Sequence, residues 1–134
     1  MQGYEGWLEI ALVDLKSAKA LLKVELYSSV MFHCQQSAEK ALKAFLAFKK
    51  QNIRKTHDLI WLMDACAKFD IQFNKLKIML GTLNPLETKF RYPDDYNIPD
   101  EKEALEAIKF TKKVYSFVIR KIEEPDTGQK DIFE

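Results

Sequence analysis

The chain has 134 residues, the length of one domain around one core. Its 47% apolar and 31% charged content suits a folded, well-solvated protein, and a formal net charge of +1 gives no global field to attract nucleic acid or membrane. Four Gly and four Pro fall well below ordinary usage of roughly 12%, which excludes collagen-like and low-complexity chains and argues against a turn-rich all-β fold.

The N-terminal stretch Met1 to Trp7 has no basic region ahead of an apolar run, so it does not read as a signal peptide. The longest apolar runs, Ala44 to Phe48 and Leu59 to Met63, are five residues each, against the roughly 20 needed to span a bilayer. Cys34 and Cys66 lie in apolar helical stripes and read as buried thiols rather than a disulfide framework. A cytoplasmic protein is expected, with no membrane partner.

Leu8, Ala11, Leu12, Leu15, Ala18 and Leu22 advance in steps of three and four, predicting a first helix that ends near Val24. A second is predicted from Tyr27 to Lys50, with Val30, Cys34, Ala38, Ala41, Leu42, Phe45 and Phe48 inward. Its small residues Ser37, Ala38, Ala41, Ala44 and Ala47 let a neighbouring backbone come close, and the short link makes the pair antiparallel. Thr56 reads as the N-cap of a short helix through Leu59, Leu62, Met63 and Cys66, with Asp58 in its first turn. Asp70 caps another that falters at Gly81, and Asn84-Pro85-Leu86-Glu87 reads as a further helix start. Two prolines make Arg91 to Pro99 the longest loop. Asp100 and Glu103 form a capping-box pattern opening a long helix with Leu105, Ile108, Val114, Phe117 and Ile122 inside, stopped by Pro125. The expected fold is an all-α antiparallel helical bundle of two or three long helices with short connecting helices. One domain spans residues 1–124, and the tail at 125–134 is expected to fray.

Charge is segregated. Lys40 to Lys55 holds six cations and no acid, whereas Arg91 to Glu106 holds six acids against two cations. The bland reading is a pair of solvated or mutually paired faces; the sharper one is a phosphate-concentrating field. The sparse glycines rule out Walker and dinucleotide loops, and no serine lies in a Gly-x-Ser-x-Gly elbow. With two histidines and two cysteines outside any zinc motif, neither a metal nor a cofactor is expected.

Three groups could engage an anion. His33, Gln36, Lys40 and Lys43 share a stripe of the second helix, where Glu39 and Lys43 also stand at the i, i+4 spacing of an ion pair. Arg54-Lys55-Thr56-His57-Asp58 sets cations beside a helix N-terminus. Arg91 can fork phosphate oxygens, and Tyr92 can stack on a base. Each taken alone is matched by a structural role as solvent face, cap or loop brace.

The blocks Gln35-Gln36-Ser37-Ala38-Glu39-Lys40-Ala41-Leu42-Lys43-Ala44, Thr56-His57-Asp58-Leu59 and Arg91-Tyr92-Pro93 resemble, in order and spacing, the HEPN domain family (higher eukaryotes and prokaryotes nucleotide-binding), and the resemblance extends to about Glu124. It implies an antiparallel bundle, commonly a homodimer, similar to the C-terminal domain of kanamycin nucleotidyltransferase. It also implies pairing with a separate minimal nucleotidyltransferase, as in toxin–antitoxin-like systems. Many members are metal-independent endoribonucleases using Arg followed after four to six residues by His. Here Arg91 and Arg120 have no following histidine, and only two residues separate Arg54 from His57, so that motif is missing.

Three readings follow. The first is a non-catalytic nucleotide-binding module using Gln36, Lys40, Lys43, His57, Arg91 and Tyr92. The second is a ribonuclease with His57 as general base and Arg91 stabilising the phosphate, together in one chain or across a dimer. The third is a helical adaptor whose charged faces pair with a protein.

Overall fold

A computed structural model of the chain describes residues 3–84 and 98–124. The expected helix start at Pro85, the loop residues Arg91 to Asn97 and the tail from Pro125 lie outside the described residues. The described elements are helices: α1 (Tyr4–Lys23), α2 (Tyr27–Phe48), α3 (Leu59–Ala67), a 3-10 segment (Ile71–Leu76), α4 (Lys77–Leu83) and α5 (Glu101–Glu123). This is the expected all-α bundle.

α1 and α2 are antiparallel. Tyr4 stacks edge-on against Phe48, Ser37 Oγ donates to the Ala11 carbonyl at 2.7 Å, and Asp14 meets His33, so one helix descends as the other climbs. That hydroxyl-to-backbone contact needs side chains as small as Ala11, Ala18, Ala38 and Ala41, all at most 1% exposed. The helices end at Lys23 and Phe48, close to the expected boundaries. Both ends use the same device without glycine. The Leu26 N–H donates to Leu21 O around Glu25 (φ 61°), and the Gln51 N–H donates to Leu46 O around Lys50 (φ 60°). These are Schellman closures with a left-handed residue that usually favours glycine.

The α3 cap differs from expectation. Asp58, not Thr56, is the N-cap: its carboxylate accepts from Ile60 N at 3.0 Å and Trp61 N at 3.2 Å, while Thr56 Oγ1 accepts from Asp58 N. Charge explains the choice, because a carboxylate serves two unpaired N–H groups at the positive helix end better than a hydroxyl. Asn84 ties this start to the end of α4, accepting from Leu59 N at 2.7 Å and donating to Asp58 Oδ1 at 3.2 Å. Asp70 caps the 3-10 segment as expected. α4 runs through Gly81 rather than faltering there, and continues two further residues to Leu83.

At α5 the Asp100–Glu103 capping box forms, with bonds of 2.8 and 3.1 Å. Leu105, expected inside, is 50% exposed; the buried stripe is Ala104, Ala107, Ile108, Thr111, Val114, Phe117 and Val118. One residue of rotation moves a side chain about 100° around a helix, which carries Leu105 off that stripe. α2 is the central element, packed against α1, α3, α4 and α5. Phe73 lies between Phe45 (ring centroids 4.4 Å) and Phe117 (5.0 Å) and locks the 3-10 segment to α2 and α5. Cys34 and Cys66 are fully buried and form no disulfide with each other. Among the described residues, no helix is long and apolar enough to cross a membrane.

Candidate functional site

The site is built outward from one carboxylate. Glu39 sits in the middle of α2 and is 2% exposed. Helical spacing puts Gln35 one turn before it and Lys43 one turn after, and tertiary packing brings His57 over it from the segment leading into α3. Lys43 Nζ donates to Glu39 Oε2 at 2.8 Å, and His57 Nδ1 lies 2.8 Å from Oε1. Gln35 is buried and donates to the His57 carbonyl at 3.1 Å, which pins the backbone that carries the imidazole. Burial alone would raise the Glu39 carboxyl, but the Lys43 and His57 hydrogen bonds and charges outweigh it and hold the group below its ordinary value.

This arrangement fixes the ring. An ionised carboxylate only accepts, so Nδ1 of His57 must carry the proton. The ring is therefore anchored at one nitrogen by a buried group, while 64% of the side chain is exposed. An imidazole held this way has a set tautomer and orientation, which binding and acid–base chemistry both require.

The network continues along the α1–α2 seam. Gln36 Nε2 donates to Gln35 Oε1 at 2.7 Å, and Lys40 Nζ donates to Gln36 Oε1 at 2.8 Å. Lys40 lies 3.5 Å from Asp14, whose other oxygen meets His33 Nδ1 at 2.8 Å. Lys43 faces inward, 6% exposed, with its ammonium 5.6 Å from the Trp7 ring centroid as well as on Glu39. The structure thus brings together Gln36, Lys40, Lys43 and His57 from the sequence-derived set, and gives each lysine a carboxylate. Arg91 and Tyr92 lie outside the described residues.

Sequence reasoning missed the roles of Asp14 and Gln35 and a cation–π pair that flanks His57 along the chain, in which the Arg54 guanidinium lies 4.7 Å over the Trp61 ring. Asp14 did carry a signal. It stands three residues after Ala11 and four before Ala18, so its carboxylate points along the buried face, where it needs a partner. Gln35 was legible only as the first residue of the family block and Trp61 not at all, because their contacts depend on where the 49–58 segment folds. Among the described residues, no group of three or more His, Cys, Asp and Glu side chains is placed to hold a metal ion.

An all-α bundle with a polar seam on its central helix defines the class, and comparison with known proteins agrees. The HEPN domain family model matches residues 4–122, so the chain belongs to the HEPN domain family. No curated protein matches it. Among solved structures, it is similar to TT1696 from Thermus thermophilus, at 26% identity over 90% of this chain and 99% of that one, with a TM-score of 0.78. It is likewise similar to ST0689, an archaeal HEPN homologue, at 26% identity over 92% of this chain and 100% of that one, with a TM-score of 0.75.

Proposed function

We propose that the chain is a non-catalytic nucleotide-binding module of the HEPN family that acts as a homodimer and partners a separate minimal nucleotidyltransferase in a toxin–antitoxin-like pair. The observation that supports this reading is the exposed His57 ring, held on buried Glu39 at 2.8 Å, at the end of a basic stretch free of acids. In this reading His57, Lys40 and Gln36 contact the phosphate. Lys43 acts from behind, by keeping Glu39 charged and in place. Trp61, four residues after His57 and with Arg54 stacked on it, offers a base platform, and Arg91 and Tyr92 add a phosphate fork and a second platform.

The test is thermal unfolding with millimolar AMP, ATP or GTP, wild type beside His57→Ala. A ligand at 100 times its Kd stabilises the folded chain by about 2.7 kcal/mol, so a rise of several degrees is expected in wild type and its loss in the variant. No shift with any nucleotide overturns direct binding. A ribonuclease is the second reading, favoured by the Glu39–His57 pair, because a carboxylate-oriented imidazole is the usual form of a general base. RNA cleavage in EDTA that disappears in His57→Ala would replace the first reading with the second.

A further inference from the structure

A second basic surface shares no residue with the His57 site. Between the 3-10 segment, α4 and the C-terminal half of α5 runs an open groove of about 410 Å³. Leu76, Met79 and the Phe117 ring give it an apolar floor; Lys75 stands on one wall, and Lys112, Lys113 and Arg120 on the other. Lys113 and Arg120 stand two turns apart on one line of α5, and Lys112, about 100° further round the helix, still reaches the groove. Among the described residues no carboxylate lines the groove, and none of its four cations forms an ion pair. Arg120 instead lies over the Phe117 ring at 5.4 Å. The nearby acids are engaged elsewhere: Asp70 and Glu124 lie 2.8 and 3.5 Å from Lys121, whose side chain is 6% exposed. Lys121 also donates to Gln72 Oε1, which leaves the Gln72 amide hydrogens as neutral donors at the groove.

Like charges facing each other across a groove repel, and an anion between them relieves that repulsion on both walls at once. The apolar floor adds a requirement that inorganic phosphate cannot meet, since burying a flat carbon skeleton against Met79 and Phe117 is favourable in itself. A volume of this size lies in the range of small-molecule sites. We infer that the groove binds a small phosphate ester, with its phosphoryl group held between Lys75 and the α5 cations and its flat apolar body on Leu76, Met79 and Phe117.

The test is backbone amide NMR on the full chain at physiological ionic strength, titrated with 1-naphthyl phosphate and, separately, inorganic phosphate. Saturable shifts are expected at Lys75, Met79 and Lys112 to Phe117, with naphthyl phosphate binding about tenfold tighter than inorganic phosphate for its apolar burial. Lys112→Glu/Lys113→Glu changes exposed side chains only and should weaken binding about tenfold or more by setting like charges against the ligand. Lys16→Glu/Lys19→Glu makes the same charge change on the exposed face of α1 and should bind like wild type. Equal loss in both variants would mean unspecific attraction, and unchanged binding in the α5 variant would empty the groove of its role; either result overturns the inference. Shifts confined to Lys40 and His57 would overturn it too, while supporting the site proposed above.

Discussion

Glu39→Gln keeps the shape of the side chain and removes only its charge. The Gln oxygen can still accept from His57 Nδ1, so that bond survives in weaker form. Lys43 fares worse. Its side chain is 7% exposed and its ammonium now has a neutral partner in place of the carboxylate at 2.8 Å. Removing one member of a buried pair costs about 3–5 kcal/mol. Two features place this case near the lower end: the Trp7 ring 5.6 Å from the ammonium stays, and a lysine stem can swing its head toward water. A loss of about 3 kcal/mol lowers Tm by roughly 10 °C in a chain of this size. The assay is urea unfolding at pH 7, read as a fall in midpoint with unchanged slope. The companion variant Glu39→Gln/Lys43→Met removes both charges and should recover most of the loss, because the stranded ammonium goes with its partner. A single-variant cost below about 1 kcal/mol, or a double variant no better than the single, would refute the claim that Lys43 and Glu39 depend on each other as a buried ion pair.

The same carboxylate sets an acid limit. Its folded value lies below the ordinary one, so its stabilising contribution is complete above the ordinary carboxylate range of about 4.3 and is lost as pH falls through the lower folded value. Unfolding free energy measured from pH 6 down to pH 3 should therefore fall less steeply in Glu39→Gln than in wild type. Burial pushes the Cys34 thiol up to about 12, against a small opposing effect of its Thr111 hydrogen bond, and burial also raises Cys66. Neither thiol should react with iodoacetamide in the native state at pH 8, by intact mass, while both react once the chain is unfolded. Lys50→Gly relieves a left-handed lysine at φ 60° and should raise stability by about 1 kcal/mol, read as a higher urea midpoint. Phe73→Ala removes a ring that is 0% exposed between Phe45 and Phe117, and should cost about 3–5 kcal/mol in the same assay.

Much of the bundle is written in local pattern. The steps of three and four that place Ala11, Leu15 and Ala18 on one face of α1, and Cys34, Ala38, Ala41, Leu42 and Phe45 on one face of α2, hold because a helix fixes side-chain direction residue by residue. The capping box of α5 needs only Asp100 and Glu103 three residues apart. The QQSAEKALKA block carried the family for the same reason, since its spacing is a property of one helix.

What local pattern could not decide was where charges end up. The Lys43–Glu39 pair stands at the i, i+4 spacing read from α2 itself, but Lys40, read as a surface cation facing an anion, meets Asp14 from α1. The Lys40–Asp14 pairing requires two helices to dock at one particular height, and nothing within α2 encodes it. Leu105 turned outward because the inward stripe of α5 rests on a rotation of about one residue that only the rest of the core can set. His57 is the clearest case. Its sequence neighbours suggest a residue at a helix start, but it becomes an oriented imidazole only because Glu39, 18 residues earlier, is buried beneath it. The sequence by itself determined the long helices, the inward faces of α1 and α2, and the family. The tertiary structure decided which ionisable groups share a burial site, because desolvation and pairing depend on distances between segments that no local spacing contains.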